Sequence, residues 1–177
     1  MDLNYNLIGF KVYENCPNDA KILVPFVEEL YKSRRIKSGD IIICDRGFPS
    51  EKNYNVLINR FLLIPAIYPR KNTNIEKIIN NDTPPLDVFT YKYKFTKWKS
   101  IREEFKKLMS HWGNFRFIRY RIEIFFNIAK NTLSLKKNHQ YTQISIEKKV
   151  ARAVFLTTAV ISMFDLRNID LRTIPSW

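Results

Sequence analysis

Cysteine and histidine are both scarce, with two of each in 177 residues. Cys16 and Cys44 stand far apart with no CxxC spacing, and His111 and His139 complete no ligand set around them. That pattern argues against a zinc site and against a disulfide framework. Long apolar runs are missing too. The longest, from Ala153 to Phe164, is shorter than the ~20 residues a bilayer-spanning helix needs. No basic-then-apolar signal segment opens the chain, so the expected location is the reducing cytoplasm. Internal repeats and low-complexity tracts are absent as well.

Acids are outnumbered: 17 Asp and Glu against 30 Lys and Arg give a net charge of +13 and a pI near 9.8. Such an excess suits a nucleic-acid binder or an anionic membrane surface. Its placement is uneven. Residues 91–152 hold 16 lysines and arginines and four acids (Glu103, Glu104, Glu123, Glu147), a net +12. What is plentiful is apolar material, 45% of the chain with 14% aromatic, enough for one ordinary domain with a real core.

Along the chain, Asn6 to Tyr13 reads as a strand closed by a turn at Asn15 to Asp19. Ile22, Leu23, Phe26, Val27 and Leu30 recur at helical spacing between Ala20 and Lys32. After the break at Ser38-Gly39-Asp40, the run Ile41-Ile42-Ile43-Cys44 has the β-branched character of a strand buried on both faces. Pro49-Ser50-Glu51 can start a helix covering Tyr54, Leu57 and Ile58. Phe61 to Tyr68 is a further buried strand, with Pro65 drawing it toward a sheet edge or bulge.

Strands and helices in alternation imply βαβ units and an α/β sheet. Residues 72–87 read as a polar loop, and Phe89 to Phe95 as a strand with an aromatic face and a basic face. That strand spacing ranks membrane binding last, since it gives no helical apolar stripe. Helices are predicted from Trp98 to Ser110, from about Phe115 to Leu135 and from about Ile144 to Phe164.

Two carboxylates stand out. Asp45 ends the buried run, where open α/β sheets place their reactive groups, and Gly47 behind it would let the backbone turn at once. Glu123 lies in a column of cations. At about 100° per residue, Arg116, Arg119, Asn127 and Lys130 all fall within about 40° of its line on the helix, with Ile118, Ile122, Phe125 and Phe126 supplying a packed opposite side. Each has an ordinary explanation, Asp45 as a cap and Glu123 as an i,i+4 partner of Arg119. Together they suit phosphodiester chemistry with hard divalent cations, which takes carboxylate oxygens from separate elements. The surrounding cations would hold a DNA backbone.

Those residues carry a family resemblance. Asp45-Arg46-Gly47-Phe48 resembles the Asp-x-Gly-Tyr/Phe motif of the DDE transposases of prokaryotic insertion sequences. Arg119, Glu123 and Lys130 match their Tyr-x2-Arg-x3-Glu-x6-Lys signature, with Arg116 in the tyrosine position. Gly9-Phe10-Lys11, Asn18-Asp19, Ile64 to Ile67 and Pro69-Arg70-Lys71 are weaker echoes in the same order, and the similarity spans roughly residues 6–165.

The resemblance implies a ribonuclease-H-like mixed sheet flanked by helices, within one partial catalytic domain over residues 1–177. Residues 71–111 would be an insertion before the last catalytic helix, and 142–165 a C-terminal packing helix. It implies Asp45 and Glu123 as catalytic ligands of Mg²⁺ or Mn²⁺. Arg116, Arg119, Lys130, Arg70, Lys71, Lys92 and Lys94 would be DNA contacts, at transposon ends and target, in a nucleoid-associated protein. A homodimer or an assembly with an intact transposase is left open.

The family's first aspartate sits on an earlier strand. Asp2 is the only acid before Gly9, so the expectation is a frame lacking that strand and a chain inactive by itself in transposition. The alternatives are a non-catalytic DNA-binding remnant or regulator, and a ribonuclease-H-like nuclease drawing a third carboxylate from Asp19 or Asp40.

Overall fold

In a computed structural model the described residues are 1–2, 6–13, 17–81, 84, 92–132 and 142–164; at 92, 114–119, 121, 132, 163 and 164 only the backbone is described. The chain divides into two compact units, Cys16–Phe115 and a second made of Met1–Asn15 with Arg116–Trp177.

The first unit is built on one βαβ crossover. Helix α1 (Asp19–Lys32) starts where the Asn18 side chain accepts the Ala20 amide, with Asp19 in its first turn, which satisfies an orphan donor and complements the helix dipole. It buries Leu23 and Val27. Strand β1 (Ile41–Cys44) and strand β2 (Ile64–Ile67) pair in parallel, Ile41 opposite Ile64 and Cys44 opposite Ile67. Backbone hydrogen bonds continue the ladder at both ends, from the Ile64 amide to the Asp40 carbonyl and from the Tyr68 amide to the Cys44 carbonyl, each 2.9 Å. Pro65 sits inside β2 opposite Ile42. Among the described residues the sheet has only these two strands, so a proline's missing donor can face its unpaired side.

Helix α2 (Glu51–Asn59) links the strands and is capped by Ser50, whose hydroxyl accepts the Asn53 amide. Tyr54, Leu57 and Ile58 are buried from it as expected. A six-residue helix α3 (Ile75–Asn80), capped by Asn74, occupies part of the segment read as a loop.

Helix α4 (Lys92–Ser110) then lays Trp98, Ile101, Phe105, Leu108 and Met109 into the core, the i, i+3, i+4 stripe of an amphipathic helix. Tyr54 and Phe105 meet with ring centroids 5.8 Å apart, and Trp98 Nε1 donates to Asn59 Oδ1 at 2.8 Å. Phe105 is fully buried; truncating it to alanine would cost about 3–5 kcal/mol. Helix α4 thus contributes to the first unit's own core.

Two predicted strands are corrected. Residues 6–13 have no regular structure: their alternation is a local signal, whereas a strand exists only where a neighbour closes the ladder. Residues 92–95 of the predicted 89–95 strand are helical and the rest lie outside the described residues. Phe95 stacks on Trp98 at 6.0 Å, three residues on, a pairing that only helical spacing allows.

The second unit contains helix α5 (Arg116–Asn127), a π-helical turn (Ile128–Thr132) and helix α6 (Gln143–Phe164). Phe125 and Ile128 pack with Val154 and Ile161, and Met1, Ile124 and Val150 close around them. Phe126, expected on the packed side, is 51% exposed. Three residues after Glu123, it lies about 60° from that residue's line and so borders the cationic stripe.

Candidate functional site

Asp45 follows the last residue of β1 and is exposed. Its carbonyl accepts the Phe48 amide at 3.2 Å, so Asp45-Arg46-Gly47-Phe48 forms a hydrogen-bonded turn. Three side chains from elsewhere in the first unit hold that turn. Asn53, 2% exposed, donates from its amide to the Ala20 carbonyl at 2.9 Å and to the Phe48 carbonyl at 2.8 Å, tying the start of α1 to the end of the turn. Arg70 donates from Nε to the Arg46 carbonyl at 2.8 Å and from Nη2 to the Gly47 carbonyl at 3.2 Å. The Arg46 guanidinium lies over the Tyr68 ring at 5.2 Å, and that ring meets Trp112 edge-on at 5.1 Å.

Gly47 is needed for a reason other than the one its position suggested. It is not among the positive-φ residues; instead its face is pressed against Asp19. A Cβ built on Gly47 would lie 2.9 Å from Asp19 Cγ and 3.1 Å from Asp19 Cβ, so tight that the Asp19 side chain would have to move. The Asp19 carboxylate therefore occupies the same end of the sheet as Asp45. Asp40 does not: it precedes β1, its Oδ2 accepts the Lys37 amide, and the four residues of the strand, at about 3.3 Å per step, separate it from Asp45.

The chemistry beneath the turn is inert. Burial, helped by the charge of Asp45, pushes the Cys44 thiol up to about 12. Although Cys44 as a residue keeps some exposure, the thiol is the enclosed part. Burial likewise raises the Tyr54 phenol, whose hydroxyl donates to the Ile67 carbonyl at 3.2 Å.

Glu123 belongs to the second unit, exposed on α5, with Asn127 and Lys130 also exposed. The Asn131 amide donates to Asn127 Oδ1, and the Lys130 ammonium stands over the Phe126 ring at 5.7 Å. The side chains of Arg116, Arg119 and Lys92 lie outside the described residues. Lys71 and Lys94 are exposed. Asp2, in the second unit, accepts the Asn6 amide and side chain at 2.9 and 2.8 Å.

As metal donors, the exposed carboxylates are of the right kind for Mg²⁺ or Mn²⁺, hard oxygens able to share a cation with phosphate and water. Among the described residues no three His, Cys, Asp or Glu side chains gather into one group. Nor is any helix among them long and apolar enough to cross a membrane.

The supports of the turn were invisible in sequence reading. Asn53 reaches a carbonyl 33 residues away, and Arg70 reaches back 24 and 23; no local periodicity encodes such pairs.

A family model described as Transposase DDE domain matches residues 1–158. No curated protein and no solved structure matches the chain.

Proposed function

Because the chain belongs to the transposase DDE domain family, we propose that it acts in DNA transposition, in the strand cleavage and transfer that mobilise an insertion sequence. By resemblance to that family, Asp45 and Glu123 are each assigned as a ligand for divalent metal. The observation that carries this reading is Asp45 itself: an exposed carboxylate at the carboxyl end of a parallel strand, on a turn fixed from α1, α2 and the segment after β2. Such fixing is what a metal ligand needs, since a loosely held carboxylate loses affinity and geometry together.

Bound Mg²⁺ or Mn²⁺ would supply Lewis-acid stabilisation of the phosphodiester and an activated water. The chain's own residues do the positioning. Asn53 and Arg70 hold the Asp45 turn, Asp19 packs against it, and Glu123 offers its carboxylate from α5. Arg116, Arg119, Lys71, Lys92, Lys94 and Lys130 contribute charge toward phosphates. Arg70 keeps its outward charge while two of its donors secure the turn.

A second reading, a DNA-binding protein without catalysis, rests on the net charge of +13, which attracts a phosphate backbone with or without a metal. Binding of duplex DNA with and without Mg²⁺ separates the two. The transposase reading expects Mg²⁺ to tighten binding, and Asp45→Ala or Glu123→Ala to remove that effect. The second expects binding indifferent to the metal and to both substitutions. Absence of DNA binding contradicts both.

A further inference from the structure

Helix α6 carries a charged face that the proposed site does not use. Ser145, Lys148, Lys149 and Arg152 line one open hollow. At about 100° per residue these four fall within an arc of about 100° on the helix. Ile146, Val150, Ala153, Val154, Thr157 and Ile161 turn the other way. Of these Ala153, Val154, Thr157 and Ile161 are buried, Val154 and Ile161 in the cluster with Phe125 and Ile128. Glu147, the acid of this stretch, projects off the basic arc and accepts from Gln143 at 2.9 Å. The buried face of α6 is thus formed without the three cations, and Lys148 and Arg152 are exposed.

We propose that this face is a sequence-independent docking surface for the DNA phosphate backbone, separate from the residues that handle the metal. It rests on the reading of the chain as a DNA-acting protein and names a further place where DNA is held. Three positive charges gathered in one arc favour a polyanion. The seven steps from Ser145 to Arg152 cover about 10 Å of helix axis at 1.5 Å per residue. Over that length of duplex axis one DNA strand passes about three phosphates, at about 3.4 Å of axis per charge. A planar guanidinium beside two ammonium groups is a donor set that phosphate oxygens accept from; the Ser145 hydroxyl is engaged with the Thr142 carbonyl at 2.9 Å. Contacts to phosphate carry no base information, so binding indifferent to sequence is expected.

The test is fluorescence anisotropy of the purified chain with a random-sequence duplex over a salt series. It compares wild type with the Lys148→Gln, Lys149→Gln, Arg152→Gln triple variant and with a charge-keeping Lys148→Arg, Lys149→Arg, Arg152→Lys triple. Circular dichroism melts check that all three fold alike. The expected result is a slope of log affinity against log salt that falls by about 2–3 in the glutamine variant, near 0.9 per lost phosphate contact, and is retained in the charge-keeping one. An unchanged slope in the glutamine variant overturns the proposal. Equal loss in both triples also overturns it, since shape rather than charge would then be responsible. Stronger retention by anionic phospholipid vesicles than by duplex assigns the face to a membrane surface and overturns it too. Mg²⁺ sensitivity tied to Asp45 and Glu123 is measured on the same samples. The docking face can therefore fail while the metal reading stands, and the reverse.

Discussion

Arg70 holds Gly47 by its carbonyl, Nη2 to oxygen at 3.2 Å, while its Nε holds the neighbouring Arg46 carbonyl at 2.8 Å. One planar fork thus spans two consecutive peptide groups just behind Asp45, a geometry that a lysine ammonium cannot reproduce. Arg70→Lys is expected to lower stability by about 1 kcal/mol, the net worth of one or two solvent-accessible hydrogen bonds, in urea unfolding. Metal affinity should fall further than that loss explains, because the ligand's turn is loosened.

Gly47→Ala places a methyl group where Asp19 stands. A cost of about 1–3 kcal/mol is expected, the usual penalty of overpacking. Asp19→Ala in the same chain should recover most of it. A double-mutant cycle measures this: coupling between the two positions supports the close approach, and simple additivity contradicts it.

Asn53→Ala removes two donors from a nearly enclosed position and leaves the Ala20 and Phe48 carbonyls to find other partners. About 2–6 kcal/mol is expected, from one to three for each of the two carbonyls left unsatisfied. Thermal unfolding checks the size of the loss, and proteolysis near Phe48 checks whether the turn opens.

The Cys44 thiol, raised to about 12 from an ordinary value of 9.0, makes an alkaline prediction. Its folded pKa lies above its unfolded one, so its contribution to stability is complete below pH 9 and is lost as pH rises toward 12. The raised Tyr54 phenol acts in the same direction. Unfolding midpoints measured between pH 8 and 11 should therefore fall with rising pH. Alkylation of Cys44, followed by mass spectrometry, should be slow in the native protein at pH 9 and fast in denaturant.

What could be read from the sequence was what local pattern encodes. The run Ile41 to Cys44 became β1 with the same bounds, and the buried positions Tyr54, Leu57 and Ile58 of α2 followed from helical spacing. The position of Asp45 was legible because a continuous apolar run ended on a carboxylate. Its supports were not, since Asn53 and Arg70 act across 23 to 33 residues. The alternation of Asn6 to Tyr13 misled for the same reason, as strand pairing depends on a partner that alternation does not specify. In Phe89 to Phe95 the period was ambiguous, and Phe95 against Trp98 shows the helical alternative winning through packing.

The most direct test of the metal reading is Mn²⁺ uptake by the protein bound to duplex DNA, followed by electron paramagnetic resonance in wild type, Asp45→Ala and Glu123→Ala. Substitution of either carboxylate should weaken Mn²⁺ binding by at least the roughly 10-fold that even a ligand's supporting residue commands, with DNA affinity in metal-free buffer unchanged. Equal Mn²⁺ binding by all three proteins would contradict the assignment of Asp45 and Glu123 as the metal's ligands.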